Sequence, residues 1–181
     1  MGFITLPEGE QKETIYSGIR ESEFAVVVGW RMGSGYWLFD LLVEQGIEPE
    51  NIYLVDAFMG NLLQFSKYPI NIVHSDIREL KLRNLTDGEG NQIKNHAFIW
   101  EHGPEHVSKE EARDVIEEVK QEATLVSIET PLGPYPQGAL YGNSYEVHVS
   151  TWYDEDYKEA FPSLEIYKNE EGHIGGIYRC P

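Results

Sequence analysis

The chain has 181 residues, 41% of them apolar, enough for one sizeable core and too few for two ordinary domains. Its 14 basic residues against 31 acidic ones leave a net charge of -17, so the surface repels nucleic-acid phosphates and anionic lipid headgroups. The single cysteine, Cys180, excludes an intrachain disulfide framework and a thiolate metal site, and no apolar stretch approaches the roughly 18 residues of a membrane span. Met1 to Gly9 lacks the basic-then-apolar order of a signal peptide, so one cytoplasmic domain spanning 1–181 is expected.

Residues 1–23 read as an N-terminal extension. Phe24 to Val28 is an unbroken, mostly β-branched run closed by Gly29, the pattern of a parallel strand buried on both faces. Tyr36 to Gln45 carries Leu38, Leu41 and Leu42 at helical spacing, with Gly46 placed as the cap. Ile52 to Val55 is a second buried strand ending at Asp56, and Gly60 to Phe65 a short helix. Ile70 to Val73 is a third strand, followed by His74-Ser75-Asp76. The polar stretch 81–95, with Asp87-Gly88-Glu89-Gly90-Asn91, offers turn chemistry and reads as a surface insertion with nothing to bury.

Ala97 to Trp100 is a fourth strand. Ser108 with Glu111 three residues on forms a capping box, Val107 and Ala112 can staple it, and Ala112, Val115, Ile116, Val119 and Ala123 share one helical face. Leu125 to Ile128 is a fifth strand running into Glu129-Thr130-Pro131. The aperiodic segment 131–149, rich in Gly, Pro and Tyr, is a candidate substrate loop. Thr151 with Asp154 opens a last helix that Phe161-Pro162 ends. Leu164 to Lys168 and Ile174 to Arg179 are too close in sequence for a parallel crossover and must form an antiparallel hairpin. The expected fold is α/β: a mostly parallel seven-stranded sheet, helices on both faces and a C-terminal antiparallel hairpin.

In such sheets ligands bind beyond the carboxyl ends of the strands. After the first strand come Gly29-Trp30-Arg31-Met32-Gly33-Ser34-Gly35, where missing Cβ atoms admit a ligand and a helix N-terminus offers amide donors. Asp56, about twenty residues beyond the glycines, suits a ribose diol, and Asp76 an adenine amino group. A P-loop is excluded because no Lys-Ser or Lys-Thr follows the glycines. A nicotinamide fingerprint fits poorly, since bulky Leu38 would stand where a small residue must allow close helix packing.

The order of glycine turn, Asp56, Asp76, five strands and a closing hairpin resembles the class I S-adenosylmethionine-dependent methyltransferases over Phe24 to Arg179. Trp100-Glu101-His102, the helix from Ser108, Glu129-Thr130-Pro131-Leu132-Gly133 and the run Gly142 to Trp152 are similar to stretches of small-molecule-type members. The resemblance implies S-adenosyl-L-methionine as cofactor, held by Gly29, Trp30, Arg31, Gly33, Asp56, Ala57, Asp76, Ile77 and Glu101. It implies methyl transfer to a small-molecule acceptor, with no nucleic-acid or membrane partner; a homodimer is one arrangement open to the chain. His102, His106 and His148 are the general-base candidates. Tyr135, Tyr141 and Tyr145 are candidates for the acceptor pocket wall.

The chain departs from the family at two of four turn positions: Val27 stands at the usual acid and Arg31 at the middle glycine. That leaves a second reading, a catalytically inactive binding or interaction protein with an altered cofactor turn. His102-Gly103-Pro104-Glu105-His106 also spells the H-x-x-E-H zinc motif, but Gly103-Pro104 interrupts the helix that motif needs, so no metal is expected.

Overall fold

The computed structural model describes residues 7–30, 35–140 and 142–180. β1 (Phe24–Val28) is buried along its whole length because parallel strands flank it on both sides, β2 (Ile52–Asp56) and β4 (His96–Glu101). β3 (Asn71–His74) closes one edge beside β2 and is only half buried. β5 (Ala123–Pro131) lies parallel to β4, while β7 (His173–Arg179) runs antiparallel between β5 and β6 (Glu165–Lys168). The order is β3-β2-β1-β4-β5-β7-β6, as expected of a mostly parallel sheet with a terminal hairpin. The chain steps outward from β1 to β3, then returns to β1's other side for β4. That reversal opens a crevice at the carboxyl ends of β1 and β4.

Strand alternation divides the apolar residues into two cores, one per face. Val26, Phe98, Trp100, Val126 and Ile128 pack with Ile116 and Val119 of α4 (Lys109–Val119) and Tyr157 of α5 (Asp154–Ala160). Ala25, Val27, Leu54 and Ile99 pack against α1 (Glu10–Arg20), Leu38 and Leu42 of α2 (Gly35–Glu44), and Leu62 at the end of α3 (Met59–Leu62).

Four local expectations change. The N-terminal extension contains α1, whose Ile15 and Ile19 are 1% and 0% exposed. Burial of two such side chains stabilises by roughly 3–6 kcal/mol, so α1 is part of the domain. The 81–95 segment buries Leu82, Leu85 and Ile93 under the α4 face, spaced apolar residues holding down a polar strap. α4 ends at Val119, and Ala123 opens β5, which continues through buried Glu129 and Thr130. α5 is capped at Tyr153, whose N–H donates to Asp156 at 2.9 Å, rather than at Thr151. The capping box of α4 forms as expected: Ser108 Oγ accepts from Glu111 N, and Glu111 returns to Ser108 N at 2.8 Å.

Candidate active site

At the carboxyl ends of the strands lies a cleft with about 1200 Å³ of empty space continuous with solvent. One half is built by β1, β2 and β3. Gly29 turns there at φ +75°, a conformation that favours glycine, and the position its Cβ would take is open space. Its N–H donates to Val55 O at 2.9 Å, tying the turn to β2. Asp56, 7% exposed, ends β2; its carboxylate accepts from Phe58 N at 2.7 Å and Asn61 Nδ2 at 2.9 Å. Asp76 accepts from Arg78 N and Nε, both at 2.9 Å. The Arg78 side chain holds the Asp76 carboxyl below the usual carboxylate range. Arg78 also reaches Glu111 of α4 at 3.5 Å, and Ala57 and Ile77 complete this wall.

The expected cofactor residues do not all meet here. Trp30 turns into the core, 2% exposed and stacked on Phe65 at 5.0 Å, and its side chain does not line the cleft. Val27 is likewise buried in that core, so nothing at position 27 presents a polar group to the cleft. Arg31 and Gly33 lie outside the described residues, as does Tyr141.

The other half is a concentration of buried acids and imidazoles. Glu101 and Glu129 are register partners at the ends of β4 and β5. Burial, with repulsion from Glu129 second, pushes the Glu101 carboxyl well above the usual range, and its Oε2 has no hydrogen-bond partner among the described residues. Glu129 instead accepts from Tyr167 Oη and Asn169 Nδ2, both at 3.2 Å, with His173 Nδ1 3.2 Å from its other oxygen. After β4, His102 takes a left-handed backbone at φ 50°. Gly103 follows with Trp100 packed so close that an added Cβ would stand 1.7 Å from the indole nitrogen. The turn Pro104–His106 then carries Glu105, 2% exposed.

The three expected histidines converge on Glu105. His102 Nδ1 is 3.7 Å and His148 Nε2 3.8 Å from its Oε1, and the His106 and His148 rings meet edge to face at 4.8 Å. The 131–149 segment is tied across this group: Val149 N and Ser150 N donate to Glu105 O at 2.9 and 3.1 Å. Trp152, fully buried, donates to Ser150 Oγ at 2.9 Å and anchors the end of the strap. Tyr135 and Tyr145 line the cleft while 57% and 48% exposed, with Gln137, Asn143 and Glu146 beneath them.

The sequence pattern points to the histidines but assigns no role to Glu105, Glu129 or His173. Glu129 and His173 meet only through β5–β7 pairing, which no local pattern announces. Glu105 stood in plain view inside the H-x-x-E-H string. The structure breaks that string at Gly103, so His102 and His106 do not share a helix.

No protein-family model matches the chain, and no curated protein sequence matches it. Solved structures do. A protein of Rhodobacter sphaeroides described under Zn-dependent alcohol dehydrogenases aligns with TM-score 0.63 at 11% identity, over 97% of this chain and 92% of that one. The N-terminal domain of EvdMO1, solved with S-adenosylhomocysteine and D-fucose, aligns with TM-score 0.59 at 14% identity, over 93% of this chain and 81% of that one. The methyltransferase domain of a bacterial Hen1 aligns with TM-score 0.55 at 17% identity, over 93% and 95%. A dehydrogenase sheet runs 3-2-1-4-5-6, whereas here an antiparallel strand is inserted between β5 and β6. Strand order and structural likeness together show that this chain has the class I S-adenosylmethionine-dependent methyltransferase fold.

Proposed function

We propose that the chain binds S-adenosyl-L-methionine in the cleft and methylates a small-molecule acceptor. The observation that carries this reading is the buried Asp56 carboxylate at the end of β2, beside a Gly29 turn whose Cβ position is open space. A ribose diol can donate to the Asp56 carboxylate, which Phe58 N and Asn61 Nδ2 hold in place at the end of β2. Ile77 offers an apolar wall for a purine, and Asp76, held by Arg78, a remaining acceptor for its amino group. Glu101, whose carboxyl burial pushes well above the usual range, has an unpartnered oxygen to offer the cofactor.

When bound, this cofactor supplies an electrophilic methyl group. The protein's part is to hold the acceptor in line with it, exclude water and take up a proton. The histidines at Glu105 stand on the acceptor side for that last task, and Tyr135, Gln137 and Tyr145 border it. The net charge of -17 supports a small molecule over a nucleic acid, although structural neighbours include a small RNA methyltransferase, HEN1. EvdMO1, crystallised with D-fucose, supports the same choice. Among the described residues no helix is long and apolar enough to cross a membrane, and the exposed lone Cys180 fits a cytoplasmic setting.

Calorimetry with S-adenosylhomocysteine tests the reading: one-site binding is expected, and a folded protein giving neither heat nor thermal shift at millimolar ligand would sink it. Val27, buried and apolar where the family has an acid, favours the second reading, an inactive binding protein. If only the Val27→Asp, Arg31→Gly variant binds, that second reading replaces the first.

A further inference from the structure

We propose that Glu105, His106 and His148 form a binding site for one divalent first-row transition-metal cation, open toward the cleft. The ligand atoms these three residues offer all lie within 4.8 Å of one another. Two imidazoles and one carboxylate suit such a cation and leave coordination positions for other ligands.

The imidazoles are already oriented for it. His148 Nδ1 lies 2.6 Å from Tyr135 O and His106 Nδ1 3.3 Å from Val147 O. A carbonyl can only accept, so each Nδ1 carries the hydrogen and each Nε2 presents its lone pair. Metal-binding histidines are commonly fixed by a backbone carbonyl in this way.

The carboxylate supplies an independent reason. Glu105 is 2% exposed, and neither of its oxygens has a hydrogen-bond partner among the described residues. A buried anion without donors is costly, and a cation removes that cost. The neighbouring trio His102, Glu129 and His173 is also close enough for a metal, but Glu129 already takes two hydrogen bonds, from Tyr167 and Asn169. One oxygen of that carboxylate is thus satisfied, whereas neither oxygen of Glu105 is.

The backbone ties the Glu105 site together. Val149 and Ser150 donate to Glu105 O, joining the His148 segment to the Pro104–His106 turn. All three residues line the cleft, so open coordination positions face the acceptor side. Resting on the methyl-transfer reading, the site narrows the acceptor to a small molecule bearing a hydroxyl group, whose proton a bound cation makes easier to remove. His102, whose Nδ1 lies 3.7 Å from Glu105 Oε1 and which is not one of the three ligands, is left to receive that proton.

The test uses untagged full-length protein, stripped with a chelator and titrated with Co²⁺ while visible d–d absorption and heat are followed. One equivalent should bind. Affinity should fall by more than about tenfold in His148→Ala and Glu105→Gln and hold in His173→Ala. X-ray absorption at the cobalt edge of the native protein should report two imidazoles, which keeps the test valid if a variant fails to fold. A folded stripped protein that takes up no Co²⁺, a cobalt spectrum without imidazole, or loss in His173→Ala with retention in His148→Ala overturns the site. S-adenosylhomocysteine calorimetry on the stripped protein separates the two readings: cofactor binding without Co²⁺ binding removes only the metal site, and Co²⁺ binding without cofactor binding removes only methyl transfer.

Discussion

At the ends of β2 and β3, the acids that face the cleft are answered by donors close in sequence: Phe58 and Asn61 for Asp56, Arg78 for Asp76. At the ends of β4 and β5, partners come from far along the chain. Glu129 relies on Tyr167, Asn169 and His173, and Glu105 has histidines beside it but no hydrogen-bond donor among the described residues. The first half is electrostatically complete as folded. The second holds more buried carboxyl oxygens than its donors satisfy, and such an excess marks a place built around something that arrives.

The largest expected effect tests whether β4 concentrates acid sensitivity. His96, fully buried at the strand's other end, has no hydrogen-bond partner among the described residues, and desolvation lowers its pKa to about 4. Folding therefore favours neutral His96, while the unfolded chain takes up the proton below about 6.5. The stabilisation is complete above that value and is lost as pH falls through about 4. Urea titrations should show about 3 kcal/mol lost across this window, and His96→Leu should remove that part of the slope. An unchanged slope in the variant would place the sensitivity elsewhere.

Next in size is a contrast between the halves. Asp56→Ala should weaken S-adenosylhomocysteine binding roughly a hundredfold, about 2.7 kcal/mol, by deleting a charged acceptor. Glu105→Gln should leave that affinity within about threefold, because Glu105 belongs to the other half of the cleft. Equal losses by calorimetry would mean that the cleft is one site rather than two. The smallest effect concerns the joint between them: Arg78 bridges Asp76 to Glu111, which also closes the capping box on Ser108. Ser108→Ala should cost about 1 kcal/mol in thermal unfolding with cofactor affinity unchanged.

The parallel strands could be read from sequence because burial on both faces forces continuous apolar runs, as in Phe24–Val28, and the α4 start because a capping box is local. α1 escaped because Ile15 and Ile19 are its only large buried side chains in a charged helix. The 81–95 strap escaped because Leu82, Leu85 and Ile93 follow no strand or helix period. In the candidate site, Asp56 and the histidines were visible because strand ends are where ligands meet such sheets. Trp30 showed the limit of that rule: adjacency to the glycine turn does not say which way a side chain points. The Glu129–His173 pair exists only once the hairpin returns antiparallel along β5.

The contact between Gly103 and the Trp100 indole bears on anyone wishing to reshape the cleft. Position 103 lines the cleft and looks like an obvious place for diversity in a library, yet any side chain there collides with the indole at 1.7 Å. The buried indole must move to admit any such side chain, so substitutions at that codon are expected to cost stability before they change specificity. Variation is better spent on Tyr135 and Tyr145, whose exposed rings border the same space.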